Sequence, residues 1–296
     1  MDKDILFNHF STAIELLEQH YVVASKKEKL LSGLREKNSD DFKNIKSLSE
    51  FATFVTEMLM QLSGDKHLYI ELFTNQEDGN FLEEDWLKKE LESERTNNFG
   101  FTEVKVMPNN IGYMKITQFM NPDRGIDTAI AAMKMLENTD ATIIDLRHNR
   151  GGYGELGEYI LSYFFDDEPI LLSTTHDMNI KDFQTFTHPF VVGKRKLNHH
   201  PLYILINCKT GSAAEYFTYV LQAHEKAIIV GEPSAGAANR NTYYPLTDGI
   251  RLSISTGEPI VEITGSNWEG EGIIPNIKCA PEDALDKAIA HLQQSE

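Results

Sequence analysis

The sequence predicts an α/β protein with a small helical domain at its N-terminus, and three observations carry that reading. Through residue 65 the apolar side chains recur at helical spacing. Beyond it, short apolar runs of strand length alternate with helical segments. Two of those runs open into corners crowded with small residues, DLRHNRGGYGE at 145–155 and CKTGSAAEYF at 208–217.

The elements follow in order. Phe10, Ala13, Ile14, Leu17 and Tyr21 place one face on a helix over 4–21, and Leu30, Leu31 and Leu34 mark a second over 26–37. Ser47 and Glu50 form a capping box for a third, with Phe51, Val55, Met58, Leu59 and Leu62 inward. The bundle ends near Ser63-Gly64-Asp65, giving domains at 1–65 and 66–296. His67–Phe73 reads as a strand, and the acidic stretch 76–98 as a flap or loosely held helix. Residues 100–107 and 111–116 alternate around Asn109-Asn110, a hairpin signal. A helix at 126–136, a strand at 141–146 and a helix at 155–165 come next. A strand at 202–206, a helix at 213–223 and a strand at 227–230 follow, with extended segments at 243–246 and 251–255. Pro281, with Glu282 and Asp283 behind it, opens the last helix.

Composition bounds the function. The 296 residues carry a net charge of −17, the wrong sign for a nucleic-acid partner. The two cysteines, Cys208 and Cys279, have no zinc or CxxC spacing and read as free thiols. The first residues, MDKDILFNHFSTAIELL, bring acids early and no apolar core of signal-peptide type, and no run reaches membrane-spanning length. The chain therefore reads as soluble and cytoplasmic, as would a chain whose export signal had been trimmed.

The corners hold the chemistry. Around Ser212 lie Thr210, Gly211, Ala213 and Ala214, more small residues than a turn requires. Ser212 is either a helix N-cap or an exposed nucleophile. Gly151 and Gly152 leave backbone N–H groups uncovered at a helix start, suited to an oxyanion or phosphate; the glycine spacing of phosphate loops is missing. Ligands of open α/β sheets gather outside such strand ends.

Four motifs in order, IIDLRHNRGG, TGSAAEYF, IIVGEPSAGA and WEGEGIIPN, resemble the C-terminal-processing (tail-specific) serine peptidases. The nearest branch is that of the tricorn core and the interphotoreceptor retinoid-binding protein modules. The resemblance implies a ClpP/crotonase-like core of ββα units behind a helical cap, with no PDZ-like insert between Leu72 and Gly100. It implies Ser212 as nucleophile, with the N–H groups of Ala213 and of Gly152, rather than Gly151, as oxyanion donors. The family's Ser-Lys dyad is excluded, because Ala237 stands where its lysine would be. The tricorn-like branch instead implies His67 as base and Glu269, three before Gly272, as its carboxylate. Two departures stand out: Lys66 replaces a serine before the histidine, and Asn276 replaces an aspartate.

The chemistry agrees with these roles, since a serine hydroxyl needs a base of near-neutral pKa and that base an orienting carboxylate. Glu215 reads as a structural first-turn acid, Arg147 and Asn149 as ties for the glycine loop, and the His199-His200 pair as a solvated turn. The sequence thus predicts a serine peptidase that needs no metal or cofactor. Its substrate would be a peptide or unfolded protein bound as an added strand, and a homo-oligomer is compatible with that reading. The rivals are a non-catalytic module for apolar ligands or peptides, which would need none of Ser212, His67 and Glu269, and a crotonase-like acyl-CoA enzyme, in which the Ser-Ala-Ala-Glu corner has no role.

Overall fold

The structure, a computed structural model, describes residues 1–72, 83–197, 200–247 and 249–295. The chain forms two compact units: Met1–Leu82, Thr175–Phe183 and Asn239–Pro259 make the first, and Glu83–Thr174, Gln184–Ala238 and Ile260–Glu296 the second.

In the first unit, α1 (Lys3–His20), α2 (Ala24–Arg35) and α3 (Leu48–Ser63) are the helices expected from the spacing. Asp2 caps α1 by accepting the Asp4 N–H at 2.8 Å. Ser47 Oγ accepts the Glu50 N–H at 3.1 Å, while the Glu50 carboxylate reaches one residue further back, to the Lys46 N–H. Gly64, at φ +65°, ends α3 in the left-handed conformation that glycine adopts without strain. The inward faces, Phe10, Leu17, Leu30, Phe51 and Val55, share one apolar cluster with Ile70, Leu252 and Ile254. Those three come from β1 (Tyr69–Leu72) and β10 (Ile250–Val261), which pair antiparallel with Tyr69 opposite Ser253. β9 (Arg240–Thr247) also pairs antiparallel with β10. The helical unit therefore runs past residue 65 and gathers strands distant in sequence, because a sheet face and a helix stripe bury each other.

The second unit is built on a six-stranded sheet. Its strands are β2 (Phe101–Met107), β3 (Ile111–Ile116), β4 (Ala141–Asp145), β7 (Leu202–Ile206), β8 (Ile228–Gly231) and β11 (Ile277–Lys278). The order is β11-β8-β7-β4-β3-β2, parallel except for the β2–β3 hairpin. β4 and β7 are buried at every residue because both faces of the sheet are covered. Met114, Ile144, Ile204 and Ile229 lie in the cluster shared with α5 (Pro122–Met135), α6 (Gly154–Leu161) and α7 (Ala213–Ala223). The alternate residues Tyr113, Ile143, Tyr203 and Val230 pack with Ala284, Ala288 and Leu292 of α8 (Ala284–Ser295). The period of two along each strand thus divides the core between the faces.

Some expectations shift. The segment before β1 is a turn, because the His67 N–H bonds to Asp65 Oδ1 at 2.9 Å instead of a ladder partner. Of the acidic stretch 76–98, residues 76–82 lie outside the described residues and Glu83–Thr96 form helix α4. Strands β5 (Leu171–Asp177) and β6 (Phe183–Phe186) were not anticipated. β5 buries Ser173 and Thr175, so its inward face reads as polar.

Candidate active site

The parallel register sets Asp145 of β4 beside Leu205 of β7, so the two small-residue corners emerge from neighbouring strand ends. Hydrogen bonds lock them together. Buried Thr210 donates its hydroxyl to the Leu146 carbonyl at 2.9 Å, and the Gly211 N–H donates to the Asn149 carbonyl at 3.0 Å. Asn207 Oδ1 accepts the His148 N–H at 3.0 Å. Asn149 anchors the glycine loop, giving its amide to the Ile116 carbonyl and accepting the Gly151 N–H at 2.8 Å. Arg147 pairs with buried Asp145 and donates to the Pro281 carbonyl, holding the base of the same loop.

Ser212 sits at φ +53° and ψ −124°. An N-cap serine occupies the extended region. This conformation is one that glycine favours and that costs other residues strain, so the nucleophile reading fits the backbone better than the cap reading. The backbones of the two corners nearly touch: a Cβ on Gly151 would stand 2.8 Å from the Ala213 nitrogen, and one on Gly152 would stand 2.1 Å from the Phe119 carbonyl oxygen. Only glycine fits either position, and both have positive φ. The Gly151 N–H is spent on Asn149. Among the described residues the N–H groups of Gly152 and Ala213 have no acceptor. A hydroxyl beside two unused N–H donors can serve acyl transfer.

Glu215 holds this corner in place. Its carboxylate is fully buried. Oε2 accepts the Ser212 and Ala237 N–H groups, each at 2.9 Å. Oε1 accepts the Gly236 N–H and the Ser234 hydroxyl, each at 2.6 Å. One side chain thus ties the strained serine to the 234–237 loop. That loop continues to Glu269, whose Oε2 accepts the Ala238 N–H at 2.9 Å, while the Gly270 N–H donates to the Gly236 carbonyl. Residues 269–271 form a turn in which Glu269 is half-buried and Glu271 exposed. Asn276 has a structural part, its Oδ1 accepting the Ile229 N–H at 2.9 Å.

The second unit therefore brings together Ser212, Ala213, Gly152 and, through the 236–238 loop, Glu269. His67 belongs to the first unit. Its N–H is held by Asp65, a fully buried carboxylate that also accepts the Tyr21 hydroxyl at 3.2 Å. Burial pushes the His67 pKa below its ordinary value, with the Asp65 charge opposing, which favours the neutral imidazole, the form able to accept a proton. Its Nδ1 is buried and without a hydrogen-bond partner among the described residues. Lys66 beside it is exposed. Sequence reasoning missed Asp65; the signal was an acid two residues before a histidine in a tight turn. His199 lies outside the described residues. His200 is half-buried against Thr142 at 2.8 Å rather than solvated, and burial lowers its pKa to about 4. The described residues contain no cluster of three or more His, Cys, Asp or Glu able to hold a metal ion, and no helix long and apolar enough to cross a membrane.

Residues 110–279 match Peptidase family S41, and residues 6–95 match the N-terminal domain of Peptidase_S41 in eukaryotic IRBP. The chain is 27% identical over 146 residues to the chloroplastic carboxyl-terminal-processing peptidase 2 of Arabidopsis thaliana, a match covering 49% of this chain and 27% of that protein. A putative peptidase from Parabacteroides merdae has a similar structure, with a TM-score of 0.65, 18% identity, and coverage of 97% of this chain and 96% of that one. The tricorn protease aligns with 99% of this chain and 37% of its own, at a TM-score of 0.64 and 13% identity. At these identities the two structures speak for the fold alone: mixed α/β with a helical N-terminal region, as the sequence predicted. The two matched segments take in both small-residue corners and the helices that precede them, and the chain belongs to Peptidase family S41.

Proposed function

We propose that the chain is a serine peptidase in which Ser212 attacks the scissile carbonyl. The observation that carries this reading is the strained Ser212 at a strand-to-helix corner, beside the unused N–H groups of Ala213 and Gly152. In the proposed step, the Ser212 oxygen bonds to the carbonyl carbon while His67 takes the hydroxyl proton. The oxyanion is held by the Ala213 and Gly152 N–H groups. His67 then returns the proton to the leaving amine, and water, deprotonated by the same base, releases the acyl group. Glu269 is the orienting carboxylate, which stabilises the imidazolium. Glu215 positions the serine and takes no proton.

The substrate class is a peptide or unfolded protein segment laid down as an added strand. The names of the curated relatives, carboxyl-terminal-processing peptidases, direct the first choice of substrate to protein C-termini. A fluorophosphonate probe tests the reading: one stoichiometric adduct on Ser212 is expected, with peptide hydrolysis lost in Ser212→Ala. A chain that takes no adduct and cuts no peptide is a binding module instead.

A further inference from the structure

The turn that carries His67 is built around one carboxylate. Asp65 follows the Gly64 cap of α3 and is fully buried. Its Oδ1 accepts the His67 N–H at 2.9 Å. Its Oδ2 accepts the hydroxyl of Tyr21, just past the end of α1, at 3.2 Å and, more distantly, the Asn239 amide at 3.4 Å. The Asp65 N–H donates to Ser63 Oγ at 3.0 Å. From β10, the Ser253 hydroxyl donates to the His67 carbonyl at 2.6 Å. The base therefore sits on a backbone pinned at both its N–H and its C=O.

The turn explains the acceptor but not the charge. An asparagine accepts a backbone N–H two residues on as an aspartate does, and a serine does so more weakly. Among the described residues the donors to Asp65 are all neutral, and no lysine or arginine pairs with it. Lys66, next to it, is exposed. Asn239 gives its amide to Asp65 while its own Oδ1 stays buried without a hydrogen-bond partner among the described residues. A buried carboxylate with no cation is costly. One cation can form beside it: the imidazolium of His67, whose Nδ1 is buried and on which the Asp65 charge acts against burial.

We propose that Asp65 is a positioning residue for the base: it fixes the turn that carries His67 and supplies the countercharge when that side chain becomes an imidazolium. The inference rests on the reading of His67 as the base, and it adds a second carboxylate to the one proposed for Glu269. The cation exists only once Ser212 has given its proton to His67. The attraction therefore favours the transition state over the resting site. Asp65 touches no substrate atom in this role and takes no proton.

The test follows the rate of Ser212 labelling by a fluorophosphonate against pH, in the full chain and its variants. Asp65→Asn keeps an acceptor for the His67 N–H, and its new NH2 can donate to the Asn239 oxygen once that amide turns; only the charge is lost. The acid limb of the labelling rate should move toward lower pH by about one unit or more, since a nearby opposite charge is worth about one to three units. The plateau above it should fall several-fold, because a weaker base takes the proton less readily. Asp65→Ser, a second neutral acceptor, should move the limb the same way. A merely structural residue would lower the folded fraction and leave the limb in place. An unmoved limb in a folded Asp65→Asn or Asp65→Ser chain overturns the inference. Failure of both to fold does so too, since the carboxylate is then structural. His67→Ala, run alongside, separates the two readings. If it labels as fast as wild type, His67 is not the base and both fall. If it fails to label while the Asp65→Asn limb stays put, the base stands and the role of Asp65 does not.

Discussion

Glu215→Gln is the sharpest test of how the strained serine is held. The carboxylate accepts from four donors: the Ser212, Gly236 and Ala237 N–H groups and the Ser234 hydroxyl. An amide has one oxygen, and its NH2 cannot accept. The least harmful orientation points the NH2 at Ser234 and Gly236. Ser234 can turn its hydroxyl and accept; the Gly236 N–H cannot, and is left facing another donor. The orphaned donor costs roughly 1–3 kcal/mol, and each of the three bonds that lose the charge about 1 kcal/mol, together about 4–6 kcal/mol. That is a large part of the roughly 5–15 kcal/mol holding a typical domain. Urea unfolding of wild type and variant measures it. The fluorophosphonate labelling rate of the fraction that remains folded should fall as well, because Ser212 loses its tether. A destabilisation under about 1 kcal/mol with unchanged labelling would refute the account of Glu215 as the anchor.

His67→Ala should lower kcat/KM by about a hundred- to ten-thousand-fold while Lys66→Ala leaves it nearly unchanged; the reverse ranking removes His67 as base. Because burial lowers the His67 pKa, the acid limb of kcat/KM against pH should lie below the ordinary 6.5. The unfolded chain then binds the proton more readily, so the contribution to stability is present above 6.5 and declines as the pH falls below it. Glu269→Gln should slow acylation far more than Glu271→Gln, with little change in KM, and equal mild effects would leave only a Ser-His pair. Gly152→Ala should abolish labelling of Ser212, since its Cβ would overlap the Phe119 carbonyl oxygen and displace the loop; retained labelling would argue against that N–H as an oxyanion donor.

Local pattern made much of this protein legible. The helix over 213–223, the strand at 202–206 and the hairpin around Asn109-Asn110 depend on periodicity and turn chemistry, and each was found where the sequence put it. The small-residue corners were legible because backbone approach excludes larger side chains. The resemblance named Ser212, Ala213, Gly152, His67 and Glu269. Tertiary structure decided the rest. β5 escaped because it buries Ser173, whose hydroxyl meets Tyr216 only in the fold, and Thr175, so its inward face looks solvent-exposed in sequence. The grouping of 239–259 with the helices came from a sheet whose strands lie far apart along the chain. No spacing rule shows that Glu215 takes four hydrogen bonds, or that Asn149 occupies the Gly151 N–H and leaves that of Gly152 unused. Those facts depend on which atoms meet across loops distant in sequence. Composition and period fix what a segment can become, and packing alone fixes which donor is satisfied and which is left unused.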